Sequence, residues 1–82
     1  MSEYTPIDCG LYSQYELAIL HHRRLRVSWR DTRDEAHIAM LTPRDLQTRE
    51  GAEFMIAEDQ DGQSLELRLD WIQHVEEIRE VR

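Results

Sequence analysis

Four histidines and one cysteine are the residues of this 82-residue chain with the most chemistry to offer. Cys9 has no second thiolate with which to share a zinc ion, and no His-x-x-x-His spacing accompanies it. His21 and His22 are adjacent, so on a helix they point about 100° apart and do not converge on one ion. His37 and His74 fall on separate predicted strands. Cys9 beside His21 or His22 would make a nucleophile and its base, yet no glycine run follows to supply oxyanion donors. A chain this short also has little room for both a core and a cleft. The expectation is a non-enzymatic protein with no metal and no cofactor, in which Cys9 is a small apolar anchor.

Two charged constellations remain. His21-His22-Arg23-Arg24-Leu25-Arg26 is the one basic cluster, and with Trp29 and Trp71 it resembles a single-strand platform, where bases stack on aromatics beside arginines. Both tryptophans share the parity of apolar neighbours, however, and cations at a helix C-terminus serve its dipole. Seventeen acidic residues against ten arginines, with no lysine, give a net charge of −7. That charge repels phosphate backbones and disfavours general nucleic-acid binding. A negative surface instead suits a basic protein partner, whose own anionic ligand it can displace.

The elements that must carry these residues follow from periodicity. Met1-Ser2-Glu3-Tyr4 is polar, with no apolar run behind it, and no stretch approaches the ~20 residues of a membrane span. A cytoplasmic, reduced protein is expected, without membrane contact. The chain divides into an extended arm over 1–12, a helix over 13–24, a barrel over 25–75 and a charged tail over 76–82, as one domain. Ser13-Gln14-Tyr15-Glu16 reads as a capping box that starts the helix. Leu25, Val27 and Trp29 alternate with polar residues as a strand, and Ala36, Ile38 and Met40 pair back after the turn Asp31-Thr32-Arg33-Asp34. Thr42-Pro43-Arg44-Asp45-Leu46 reads as one helical turn. Phe54 and Ile56 mark a third strand, closed by the turn Asp59-Gln60-Asp61-Gly62. Leu65, Leu67 and Leu69 mark a fourth, with Ile72 and Val75 beyond. The inward set is Leu25, Val27, Ile38, Phe54, Ile56, Leu65, Leu67 and Leu69. One helix and five or six short antiparallel strands predict a small barrel capped by a helix.

Three stretches in register then carry a resemblance. Tyr4-Thr5-Pro6-Ile7-Asp8-Cys9 with Tyr12 and Glu16-Leu17-Ala18, Arg44-Asp45-Leu46 with Arg49 and Glu53-Phe54, and Glu66-Leu67-Arg68-Leu69-Asp70 with Ile72 together resemble the Rho-binding antiterminators, the Rof family, over residues 4–73. The resemblance implies a small Sm-like antiparallel β-barrel preceded by one N-terminal α-helix. It also implies a bacterial inhibitor of Rho-dependent termination, a monomer that sits on the hexameric Rho helicase and occludes its primary RNA-binding site. By position the contact residues are Asp8, Tyr12 and Glu16, with Arg49 in the mid-chain loop. Where the family is often acidic after the cysteine, this chain has Gly10-Leu11 and Ser13. Leu11, Ser13 and Gln14 are therefore expected to supply apolar and hydrogen-bonding contacts instead. The alternative, a free-standing Sm-like RNA-binding module using Arg23, Arg24 and Arg26, is opposed by the net charge.

Overall fold

A computed structural model describes residues 4–78. One helix, α1 (Cys9–Leu20), precedes five strands: β1 (Leu25–Arg30), β2 (Ala36–Arg49), β3 (Ala52–Glu58), β4 (Ser64–Arg68) and β5 (Ile72–Glu77). A single 3₁₀ turn, Leu69–Trp71, joins the last two. The strands form one antiparallel sheet in the order β4-β3-β2-β1-β5. Its edges, β4 and β5, are not paired with each other, so the sheet is not closed into a barrel.

The helix departs from the sequence reading at both ends. Asp8 is its N-cap: its Oδ2 accepts from the Gly10 and Leu11 amides at 3.0 and 3.3 Å. A carboxylate there satisfies orphan amides and meets the positive end of the dipole, so the chain turns helical four residues before Ser13. The Ser13–Glu16 box lies inside the helix and is not used. At the other end, the Arg23 amide donates to the Ala18 carbonyl and the His22 amide to Ile19, with His22 at φ 55°. This paired closure stops the helix at Leu20, not at Arg24. The tail boundary also moves. Glu76 and Glu77 belong to β5, and residues 79–82 lie outside the described residues.

Strand β2 is the long element, and it is what shapes the sheet. Its first half, Ala36–Leu41, pairs with β1, and its second half, Thr42–Arg49, pairs with β3. The register slips between Pro43 and Asp45. The predicted helical turn Thr42–Leu46 is therefore strand: a bulge accommodates the proline, which has no ladder amide to lose, and bends the strand. The bend is compulsory. Ile72 docks opposite Trp29, which faces His37, while Arg68 docks opposite Phe54, which faces Gln47. His37 and Gln47 are ten positions apart, roughly 33 Å along a straight strand. The chain from Arg68 to Ile72 reaches at most about 14 Å. Only a sharply curled sheet lets both ends be met.

Inside the curl lie Tyr15, Ala18, Leu25, Val27, Leu41, Met55, Ala57, Leu67 and Leu69, each at most 5 % exposed. Of the predicted inward set, Leu25, Val27, Leu67 and Leu69 are buried and Leu65 is packed against the core. Ile38 is not: it is 68 % exposed. Register explains the miss, because Val27 faces Ala39 and Leu25 faces Leu41, so Ala39 and Leu41 share the inner face and Ile38 the outer. Strand β3 is inverted in the same way. Met55 faces Leu67 and Ala57 faces Leu65, which leaves Phe54 and Ile56 half-buried on the outer face. On α1, Tyr15 and Ala18 point inward while Leu17 and Leu20 stand in solvent. Among the described residues no helix is long and apolar enough to cross a membrane.

Candidate protein-docking face

The N-terminal arm is fastened across one end of the sheet by an ion pair from the 3₁₀ link. Arg68 Nε lies 2.8 Å from Asp70 Oδ1, with both side chains nearly buried. The guanidinium sits between the rings of Tyr4 and Trp71, 5.5 and 5.0 Å from their centroids. Asp70 Oδ2 also accepts from the Thr5 amide at 2.9 Å, and the Tyr4 hydroxyl donates to Glu53 Oε2 at 3.2 Å. Thus Leu67-Arg68-Leu69-Asp70 alternates two buried leucines with the two charges that clamp the arm. Burial, Glu53 and its hydrogen bond push the Tyr4 phenol up to about 12.

From this anchor the chain runs through Ile7, which packs on the core, into the Asp8 cap and the first turn of α1. Between that segment and the β2–β3 turn lies a shallow groove, lined by Tyr4, Pro6, Ile7, Cys9, Tyr12 and Ser13 on the arm and helix side and by Thr48, Gly51 and Glu53 on the sheet side. The Tyr12 ionisation is pushed up by burial first, then by the fields of Glu53, Glu16 and Asp45. The carboxylates that act on this half-buried phenol thus belong to three elements, α1, β2 and β3. Among the described residues none of Asp8, Glu16, Asp45 and Glu53 has an ion-pair partner.

The sequence-predicted contact residues divide accordingly. Tyr12 and Ser13 line the groove, Glu16 lies one turn along α1 from Tyr12, and Asp8 caps the helix start. Leu11 is half-buried against the core. Gln14 turns to the opposite side of the helix, into a cleft with Leu17, His21 and Val75. Arg49 leaves the face too: it pairs with Glu66 and covers the Phe54 ring at 4.6 Å, on the outer surface of β3 and β4. Tyr4, Asp45, Thr48 and Glu53 were missed. Tyr4, Asp45 and Glu53 stand in the stretches that carry the family resemblance, but nothing in their spacing announces that three separate elements converge.

Two arginines of the basic cluster face carboxylates of β5. Arg23 pairs with Glu77, and Arg26 lies 4.0 Å from Glu76, both on β5. Trp29 is occupied by His37, stacked at 5.3 Å and 16°. The histidines and Cys9 do not assemble. Among the described residues the one group of metal-type donors is Asp31, Glu35 and His37, within 4.8 Å of one another. Asp31 is already committed there, accepting from the Arg33 and Glu35 amides at 2.8 and 3.0 Å and lying 2.6 Å from His37 Nε2.

Comparison with protein-family models and with curated proteins finds no match. A solved structure does resemble the fold. It is the proteasome accessory factor B/C (PafBC) of Arthrobacter aurescens, with a TM-score of 0.75 and 20 % identity, over 93 % of this chain and 12 % of that one. The chain thus spans about an eighth of that protein's length. At this identity the likeness is one of fold: a helix and a curled five-stranded antiparallel sheet recur there as a piece of something larger.

Proposed function

We propose that this protein is a Rho-binding antiterminator of the Rof type, acting without catalysis or cofactor. As a cytoplasmic monomer it docks its helix-start face on the primary RNA-binding region of the Rho helicase and keeps RNA out. The observation that carries this reading is the apolar groove beside the helix start, with Glu53 in its lining, Glu16 one helical turn from its Tyr12, and Asp8 capping the helix at its edge. A site that binds RNA must be basic, and a negative patch with an apolar centre complements it. The pairing of Arg23 and Arg26 with β5 glutamates supports the same reading, since it offsets part of the positive charge that RNA itself would need. The bend of β2 and the short 68–72 link support placing the curled sheet with the Sm-like small barrels.

The test is competition. Fluorescent RNA bound to Rho is titrated with the protein, and displacement is expected, weakening as salt rises because exposed charges are screened within ~10 Å at 0.1 M. Glu16→Arg is the decisive variant, because Glu16 lies mid-helix and exposed, with no capping role. It should lose displacement while melting like wild type. Failure of the wild-type protein to displace RNA, or direct binding of RNA by the protein alone, overturns the proposal.

A further inference from the structure

The groove itself carries more than a charge pattern. Much of its lining is apolar: Tyr4, Pro6, Ile7 and Tyr12. Glu53 in that lining is half-buried and spends Oε2 on the Tyr4 hydroxyl, which leaves Oε1 with no hydrogen bond among the described residues. Glu16 adds a second carboxylate nearby, four residues and one helical turn from the groove-lining Tyr12. A carboxylate with one oxygen still unengaged beside an apolar slot selects a particular side-chain pair.

We infer that the groove receives an aromatic or long aliphatic side chain from a peptide segment of the partner, with a neighbouring arginine or lysine of that segment pairing with Glu53. This rests on the docking reading above for the partner's identity, and on the groove alone for its chemistry. An apolar side chain displaces weakly held water from the walls, and the adjacent cation meets the free Glu53 oxygen with a charge-assisted hydrogen bond. Neither half suffices. A cation without the apolar anchor keeps its own hydration, and an anchor flanked by carboxylates meets repulsion.

Cys9 makes the inference measurable, because it is exposed and lines the groove. Alkylation of Cys9 by iodoacetamide is timed with the full chain, alone and with about 10 mM of a blocked tripeptide. Arg-Phe-Arg is expected to slow the reaction several-fold, as occupancy of a millimolar site does. Arg-Ala-Arg and Glu-Phe-Glu should leave the rate unchanged. Thr48→Trp, which fills the groove from an exposed strand position, should abolish protection by Arg-Phe-Arg, and Glu53→Gln should erase its advantage over Glu-Phe-Glu. Equal protection by all three peptides, or none by Arg-Phe-Arg, overturns the inference. The two proposals fail separately: displacement of RNA from Rho with no peptide protection of Cys9 removes the groove and leaves the docking face. Selective protection without Rho binding keeps the groove and assigns it another partner.

Discussion

Asp8 and Glu16 exchange the roles their neighbours in sequence assign them. Ser13-x-x-Glu16 is a good capping signature, but Asp8 caps earlier, and a helix has only one start. Asp8→Ala is therefore expected to lower stability by about 1 kcal/mol through the lost cap, read as a shift in the urea midpoint. Ser13→Ala should leave that midpoint where it is. Tyr15 is a second case. Its side chain is fully buried, and its hydroxyl has no hydrogen-bond partner among the described residues. Burial pushes its ionisation up to about 12. Because the folded value lies above the unfolded value of 10, the stability tied to the neutral phenol is complete below pH 10 and is lost as pH rises toward 12. Tyr15→Phe removes an unsatisfied buried hydroxyl and should stabilise the fold by about 1–2 kcal/mol at pH 7. It should also flatten the alkaline limb of the stability curve. A destabilised Tyr15→Phe protein would mean that the hydroxyl has a partner in the folded chain.

At the scale of elements, two turns share one construction. Asp31 and Asp59 each accept through Oδ1 from the amides two and four residues on, and each also accepts, through its carbonyl, from the residue three on. That residue has positive φ in both: Asp34 at 61° and Gly62 at 80°. Glycine meets this conformation without a Cβ clash and aspartate does not, so Asp34→Gly is expected to add up to about 1 kcal/mol. The exposed Arg30 pairing that it gives up is worth less. Thermal melts of Asp34→Gly and of the reverse change, Gly62→Asp, should move in opposite directions. Asp31 also marks the acid limb. Its hydrogen bond to His37 and those from backbone amides hold it down to about 2, from an ordinary 3.8. Its contribution is present above pH 3.8 and lost as pH falls toward 2, and Asp31→Asn should remove that part of the slope. These turns were legible because Asp, Gly and polar runs punctuate the chain. The β2–β3 turn was less so. Glu50 and Gly51 both take positive φ, 50° and 78°, and only Gly51 signals it. The parity of β2 and β3 was not legible at all. Ile38, Phe54 and Ile56 are the larger hydrophobes, but register against Val27 and Leu67 puts Ala39, Met55 and Ala57 inside. A strand with apolar residues on both faces does not say which face is buried; its partner does.

For the whole molecule, the sheet's curl and the groove beside the helix start depend on one joint. The 3₁₀ link that carries Asp70 holds β4 to β5, and the same carboxylate holds Arg68 and the arm. Side-chain exposures of 11 % and 6 % put the pair nearly out of water, where a guanidinium deprived of its carboxylate is costly. Asp70→Ala should thus destabilise the chain by about 3–5 kcal/mol, comparable with the ~2–5 expected for Leu67→Ala from the core. The two losses differ in kind. Leu67→Ala weakens the fold while leaving the arm fastened, so Cys9 keeps its wild-type alkylation rate under conditions where the protein is still folded. Asp70→Ala unfastens Thr5 and disturbs the Arg68–Tyr4 stack, so the groove opens and Cys9 reacts faster in the folded protein. High salt separates the clamp from the surface pairs, since 1 M salt screens exposed charges to about 3 Å and reaches a desolvated pair poorly. Wild-type Cys9 reactivity should therefore change little between low and high salt. An Asp70→Ala protein matching wild type in both urea midpoint and Cys9 rate would show that the arm is held elsewhere.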